Sequence, residues 1–379
     1  MKNSLKFKNN KFRVMLVGDP HESYRNSTEK QKAVIKDYLN FQYAAIKELK
    51  PDLVILMGDN ARGRNEDELR NVLLRITKPY ADSNIPFAFI LGNHDLECEV
   101  NDISVQYDIY RSLPCCILPS KDEVNEFGDY NILINNSENT DSILNFWLMY
   151  SGSGAPKEYY STYGFVTEEQ ISWYENKAKA LQGEKTKPVP SMVFQHIPVP
   201  EEFNLLKEHS FFKMLTDGVT GQNEQKGRFY ALDKTKSVGY MGEAPCTSGY
   251  NSGQFSSWKK TGDVMAAFFG HDHMNDFVGD VDGITLGQCK TAGFNVYGDG
   301  LMQGVRIIDF NENNINSFNT KMVYYRDILG TECYSVSGSE KVLRDRTSVK
   351  LDVIKSVLKY TAAPLAVAAV AVISKKFRK

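Results

Sequence analysis

The sequence predicts an α/β fold in which helices pack on the faces of a β-sheet. Two observations predict it. Short apolar runs of strand length alternate along the chain with longer segments of helical spacing. Polar residues with metal-binding chemistry directly follow several of these runs. Because ligands of open α/β sheets collect beyond the carboxyl ends of the strands, we expect these polar residues to share one pocket.

The N-terminal part has a β-α-β-α-β order. Apolar residues such as Leu69, Leu73 and Ile76 recur at helical spacing, and Pro51 stops the first helix. Strands are predicted at 12–18, 53–57 and 86–91, with helices at 29–49 and 66–80. Farther along, strands are predicted at 130–135, 146–150, 191–194, 264–269, 277–286, 304–310 and 322–326, and helices at 102–113 and 167–181.

Composition excludes several classes of protein. The chain has 379 residues, 42% of them hydrophobic, which is ample for a large core. A net charge of −2 gives no strong nucleic-acid signal. The six cysteines are scattered without a C-x-x-C motif, which indicates reduced thiols. Residues 1–11 are basic and lack the apolar run of a secretory signal, so we expect the catalytic part in the cytoplasm.

Five polar clusters stand at the ends of apolar runs, and they hold five of the six histidines. The sixth, His209, lies in a polar stretch and is expected to be idle. The clusters are Asp19-Pro20-His21, Gly58-Asp59, Gly92-Asn93-His94-Asp95, Gln195-His196 and Gly270-His271-Asp272-His273.

The oxygen and nitrogen donors of these clusters are too many for one ion of four to six ligands and suit two ions with a shared carboxylate. With no thiolate among them, the donors suit Mn, Fe or Zn without choosing between these metals. The predicted metal ligands are Asp19, His21, Asp59, Asn93, His196, His271 and His273.

Such a pair of ions would supply a bridging hydroxide as nucleophile near neutral pH and would bind the oxygens of a phosphoryl group. His94 is adjacent to a predicted ligand but is not needed as one, so it is predicted to be the general acid for the leaving oxygen. Asp95 is predicted to orient His94 or to raise its pKa.

The motif order D-x-H, G-D, G-N-H-D, H and G-H-x-H resembles that of the calcineurin-like metallophosphoesterases over about residues 12–310. The resemblance implies phosphoester hydrolysis and the metallo-dependent phosphatase fold, a four-layer α/β/β/α sandwich of two mixed β-sheets flanked by helices. It implies that one ion is held by Asp19, His21, Asp59 and His273. It implies that the other is held by Asp59, Asn93, His196 and His271, with Asp59 as the bridge.

Within the family, residues 164–174 and the Asn251-Ser252-Gly253 loop look like the small single-domain purple-acid-phosphatase-like branch. One position departs from it. Purple enzymes place an iron-ligating Tyr three residues after the bridging Asp, where this chain has Arg62. The sequence therefore argues against a purple Fe(III) site. Arg62 is expected either to contact the substrate phosphate or to pair with a surface carboxylate.

Residues 1–330 are predicted to form the catalytic domain and 331–379 a C-terminal tail with a charged helix. The irregular stretch 201–262 is expected to be an active-site wall, with Tyr250 and Asn251 as candidate substrate contacts. The apolar run 362–373 is too short to span a bilayer, but with its cationic end it suits shallow membrane insertion through 360–379. The alternative is a helix packed on the body or a loose terminus.

The function predicted from the sequence is a dinuclear metal-dependent phosphoesterase that hydrolyses phosphomonoesters or phosphodiesters. Its expected substrate is a phosphoester small molecule or a phosphoprotein. Two alternatives remain on the same fold: a catalytically idle scaffold, which usually loses ligands, and a nuclease, which needs a cationic surface that the near-neutral charge does not predict.

Overall fold

A computed structural model describes residues 5–210 and 218–336, and these ranges are organised around two β-sheets. The strands are β1 (Lys11–Val17), β2 (Glu22–Ser23), β3 (Leu53–Met57), β4 (Ala61–Arg62), β5 (Phe87–Ile90), β6 (Tyr130–Asn135), β7 (Ser142–Met149), β8 (Ser191–Gln195), β9 (Leu206–His209), β10 (Val219–Thr220), β11 (Phe229–Leu232), β12 (Ser237–Val238), β13 (Val264–Phe269), β14 (Val278–Val281), β15 (Ile284–Gln288), β16 (Gly304–Asn311) and β17 (Phe318–Tyr324). The α-helices are α1 (Glu29–Leu49), α2 (Glu66–Asp82), α3 (Ile103–Arg111), α4 (Glu168–Gln182), α5 (Gln254–Thr261) and α6 (Tyr325–Leu329).

Both large sheets are mixed. The first has the order β17-β16-β1-β3-β5. Its strands β1, β3 and β5 are parallel, and β16 pairs antiparallel with both β1 and β17. The second has the order β12-β14-β15-β13-β8-β7-β6, with a parallel centre of β15, β13, β8 and β7 and antiparallel strands at both edges. The parallel strands of both sheets thus present their carboxyl ends to loops that carry the predicted ligands.

The second sheet is covered on both faces, because successive side chains of β7 belong to two different hydrophobic cores. Phe146 and Leu148 join the core shared with the first sheet, whereas Trp147 and Met149 join a second core with α4. This alternation follows from the two-residue repeat of a strand. The Trp147 and Tyr174 rings meet edge to face with centroids 5.1 Å apart. With α1 and α2 packed on the first sheet, the four-layer α/β/β/α sandwich is confirmed.

The long helices begin where side-chain caps predict. In α1 the Thr28 hydroxyl accepts from the Gln31 N–H while the Gln31 side chain accepts from the Thr28 N–H, and Thr167 and Gln170 repeat this capping box at α4. The residue after α1, Lys50, has a φ of 50°, and Pro51 follows. These local signals place the helices to within a residue or two of their predicted bounds.

Two predicted strands and one stretch predicted to be irregular differ from the structure. The single strand at 277–286 is a hairpin of β14 and β15, because Asp282-Gly283 adopts positive φ angles of 49° and 84° and turns the chain. The strand at 322–326 ends at Tyr324, and α6 begins at the next residue. The irregular stretch 201–262 contains α5 and a small sheet of order β10-β11-β9.

The start of the predicted tail packs on the body. Asp37 of α1, fully buried, accepts hydrogen bonds from the backbone N–H groups of Tyr334 and Ser335 and from the Ser335 hydroxyl. Residues 337–379, including the segment 360–379 predicted to meet a membrane, lie outside the described residues. None of the helices in residues 5–210 and 218–336 has the length and hydropathy of a bilayer-spanning segment.

Candidate metal centre

The predicted ligands come together at the carboxyl ends of parallel strands from both sheets. The first sheet supplies the residues that follow β1, β3 and β5, and the second sheet supplies those that follow β8 and β13. In chain order these residues are Asp19 and His21, then Asp59, then Asn93, then His196, and finally His271 and His273. The two sheets of the sandwich thus face each other across one cluster of donors.

The donors form two groups with ligand atoms within 4.8 Å of one another. Asp19, His21 and His273 make the first group, and Asp59, His196 and His271 make the second. Asp59 lies between the groups, because its Oδ2 atom is 3.3 Å from the Nε2 atoms of both His21 and His196. The Asn93 Oδ1 atom is 3.0 Å from the His196 Nε2 atom, which adds the amide oxygen to the second group.

Backbone carbonyls fix the orientation of two imidazoles. The Nδ1 atom of His196 lies 2.8 Å from the Met57 carbonyl oxygen, and that of His273 lies 3.1 Å from the Tyr297 carbonyl oxygen. When Nδ1–H donates to a carbonyl, the Nε2 lone pair is left facing the cluster, as in metal-binding histidines. We therefore assign the Nε2 atoms as the donors of both rings.

The remaining imidazoles also fit cations. The His271 Nε2 atom is buried without a hydrogen-bond partner among the described residues. The Nε2 atoms of His21 and His273 approach to 3.3 Å. A buried orphaned lone pair is costly in a protein and is satisfied by a metal ion. The donor set, with its nitrogen and oxygen chemistry, fits two divalent or trivalent ions.

The backbone around the cluster is strained. Asp19, His21, Asp59 and His271 have positive φ angles of 42°, 46°, 51° and 72°. Non-glycine residues in this region each cost on the order of 1 kcal/mol or more and concentrate at functional sites. Glycine is required at position 92 for a different reason, because a Cβ atom there would collide with the backbone and carboxylate of Asp59.

The pKa values of the buried donors are shifted in different directions. Burial opposes the charge on His196, but the carboxylates of Asp59 and Asp19 outweigh it and raise its pKa to about 10. Burial also opposes ionisation of Asp59, but His196 and His21 hold the pKa of this carboxyl well below its usual range. Burial lowers the pKa of His271 to about 3. The two buried carboxylates thus create a site that favours positive charge.

His94 has a different partner from the one predicted. Its Nδ1 atom lies 2.5 Å from the Glu97 Oε2 atom, and its backbone N–H donates to the Asp59 carboxylate at 2.8 Å. The imidazole is 42% exposed, and its centroid is 5.5 Å from that of His21. Sequence reasoning missed Glu97, although its position three residues after His94 was a usable signal.

Asp95 does not orient His94, which corrects the prediction. Its Oδ1 atom accepts from the N–H groups of Asn60 and Ala61 at 2.8 and 3.1 Å, and its Oδ2 atom accepts from Gly92 at 2.7 Å. Both oxygens are therefore occupied by backbone donors. Burial and the neighbouring Asp59 raise the pKa of this carboxyl to about 6. Asp95 ties the loop that carries Asp59 to the loop that carries the amide ligand.

Arg62 is half exposed and pairs with Glu97, its Nη2 atom 3.1 Å from the Oε2 atom that also meets His94. It lines a cavity of about 420 Å³ together with His21 and two further arginines, Arg25 and Arg64. The structure thus shows the predicted pairing with a surface carboxylate, at the edge of a cavity that the candidate ligand His21 also lines.

Two tyrosines outside the predicted set flank the cluster. The Tyr163 ring meets His271 edge to face at 4.3 Å, and the Tyr297 ring lies 4.4 Å from that of His273. The Tyr297 hydroxyl donates to Glu243 at 2.8 Å, so one residue of the stretch 201–262 contacts a side chain that lies beside a candidate ligand. Aromatic residues without a motif gave no sequence signal for this role.

Three other residues considered in the sequence, Asp272, Tyr250 and Asn251, have side chains that make contacts away from the metal-binding donors. Asp272, between two ligands, accepts from the Cys246 N–H and from the Asn275 and Gln288 side chains, away from the donors. Asn251 donates to Glu201 at 2.7 Å. The Tyr250 ring packs against that of Tyr159, with centroids 4.6 Å apart. The structure therefore places the side chains of Tyr250 and Asn251 in other contacts.

Comparisons with known proteins agree with this geometry. The family model of the calcineurin-like phosphoesterases matches residues 12–275. Two relatives from Arabidopsis thaliana, "Probable inactive purple acid phosphatase 14" and "Probable inactive purple acid phosphatase 29", are 27% and 28% identical. They align over 79% and 76% of this chain and over 75% and 74% of their own lengths.

Among solved structures, a dimetal phosphatase from Danio rerio aligns over 83% of this chain and 99% of its own. The two share 12% identity, with a TM-score of 0.46. The family model alone spans more than half of the sequence. The chain belongs to the calcineurin-like phosphoesterase family.

Proposed function

We propose that this protein is a dinuclear metal-dependent phosphoesterase that hydrolyses phosphomonoesters or phosphodiesters. The observation that carries the proposal is the pair of donor groups on either side of Asp59. When bound, two ions of Mn, Fe or Zn would activate a water molecule and neutralise the oxygens of the phosphoryl group. This chemistry needs a carboxylate that both ions can share, and the position of Asp59 between the two donor groups supports that role.

The ligand assignment follows the two groups. The first ion would be held by Asp19, His21, Asp59 and His273, and the second by Asp59, Asn93, His196 and His271. The carbonyl oxygens of Met57 and Tyr297 hold the rings of His196 and His273 with their Nε2 atoms toward the ions. Such outer contacts typically contribute 10–100-fold to metal affinity.

His94 is proposed as the general acid. It follows the amide ligand in the chain, its backbone is tied to Asp59, and its imidazole is accessible beside His21. The imidazolium would donate a proton to the leaving oxygen as the P–O bond breaks, which releases an alcohol. Arg62, in the cavity next to His21, is proposed to contact the phosphate once the substrate enters.

Turnover itself must be measured, because the names of the Arabidopsis relatives describe them as inactive. The purified protein would be supplied separately with Mn²⁺, Fe²⁺ and Zn²⁺ and assayed on aryl phosphomonoesters and phosphodiesters. His196→Ala should lose bound metal and turnover together. His94→Ala should keep the metal and lose about 10²–10⁴-fold in rate.

His209→Ala is the matched control, since His209 lies in β9 and outside both donor groups. Retained turnover in Asp59→Ala would contradict the proposal. Wild-type protein that binds two ions without hydrolysing any ester would instead identify an idle scaffold on the same fold.

We also propose that the protein works in the cytoplasm on a phosphoester small molecule or a phosphoprotein and that residues 360–379 attach it to membranes. The sequence of this segment, apolar with a cationic end, supports the proposal. Sedimentation with anionic vesicles should recover the full chain. A truncation at residue 359 should remain in the supernatant, and equal recovery of both would contradict attachment through this segment.

A further inference from the structure

The charged residues beside the metal centre share one carboxylate oxygen. Glu97 Oε2 lies 2.5 Å from the His94 Nδ1 atom and 3.1 Å from the Arg62 Nη2 atom. All three side chains are between 42% and 49% exposed, so the imidazole is not held by packing. A polar contact must therefore fix the orientation of the ring.

We infer that Glu97 is the positioning residue of the general acid, an inference that rests on the proposed hydrolase function. A carboxylate on Nδ1–H fixes the tautomer and the direction of an imidazole, so that Nε2 is the nitrogen available to the substrate. Arg62 holds the same carboxylate from the other side and restrains its rotation.

The motif aspartate next to His94 does not fill this role. Both oxygens of Asp95 accept backbone N–H groups from the two ligand loops, and its side chain is buried. Glu97, two residues after Asp95, is exposed and reaches the imidazole from the solvent side. In this chain the orienting carboxylate therefore comes from the loop after the motif, and Arg62 belongs to the same arrangement.

The test compares esters with different leaving groups. An alkyl phosphate needs its leaving oxygen protonated, whereas a p-nitrophenolate ion leaves readily without a proton. If Glu97 positions the acid, Glu97→Ala should lower kcat on an alkyl phosphate by about 10–100-fold, part of the usual contribution of a general acid. On the p-nitrophenyl ester it should lower kcat by less than about threefold.

Glu97→Gln keeps an acceptor for Nδ1–H and should restore part of the loss on the alkyl ester. Glu99→Ala is the control, because Glu99 carries the same charge in the same loop but interacts electrostatically with Arg64. Metal content, measured on every variant, should stay at the wild-type level, since the His94 contact with Asp59 is made by the backbone.

An equal loss on both esters, or a Glu97→Ala profile identical to that of Glu99→Ala, would overturn the positioning role. Wild-type protein inactive on both esters would instead count against the proposed function, so the two failures are distinguishable.

Discussion

Replacing Asp95 with alanine should destabilise the fold and weaken metal binding. The carboxylate accepts three backbone N–H groups, from Asn60, Ala61 and Gly92, at 2.7–3.1 Å. All these residues are buried, so water cannot replace the lost acceptor. The contacts join the loops that follow β3 and β5, which carry two of the candidate metal ligands.

The magnitude follows from two opposing effects. Each buried donor left without a partner costs about 1–3 kcal/mol, so three cost about 3–9 kcal/mol. Burial and Asp59 raise the pKa of Asp95 to about 6, which means that the ionised carboxyl is itself unfavourable there. Removing that charge therefore offsets part of the cost. We expect a net loss of about 3 kcal/mol, the lower end of that range, in the free energy of unfolding at neutral pH.

The assay is urea unfolding of Asp95→Ala and wild-type protein, together with metal analysis. Asp102→Ala is the control. Asp102 also accepts two backbone N–H groups, at the start of α3, but it is exposed, and its loss should cost about 1 kcal/mol. If Asp95→Ala kept wild-type stability and metal content and lost only the rate, Asp95 would act on His94 after all.

Two further predictions test the close approach at the site and the buried charge away from it. Gly92→Ala should lose metal and stability, because the added Cβ atom would collide with Asp59. Gly154→Ala is the control and should behave like wild type, because the nearest atom to its added Cβ would be 3.7 Å away. Equal metal content in the two variants would contradict this prediction. Burial raises the pKa of Asp129 to about 6 from 3.8, so the folded state keeps a proton that the unfolded chain releases between these values. The resulting stability is complete below about pH 4 and is lost as the pH rises through about 6, by about 3 kcal/mol at most. Urea midpoints measured across this interval should show a smaller slope in Asp129→Asn than in the wild-type protein, with Asp95 contributing the remainder, and an unchanged slope in the variant would refute the assignment.

The sequence alone located the candidate metal ligands because their signal is local. Each stands directly after an apolar run of strand length, and the glycines beside them mark close approaches. The capping boxes that start α1 and α4, at Thr28 and Thr167, are equally local, since each spans four residues. The strict alternation in β7 determined which side chains face each layer.

Only the tertiary structure decided which groups meet. The Asp19 carboxylate accepts from the backbone of His271, 252 positions away, and no periodicity encodes such a contact. The choice between Asp95 and Glu97 as the partner of His94 depends on how one loop turns. Asp95 faces buried backbone N–H groups and accepts hydrogen bonds from them, so Glu97 is the carboxylate that contacts the imidazole. The path of the backbone therefore decides between two acidic residues that the sequence leaves equivalent.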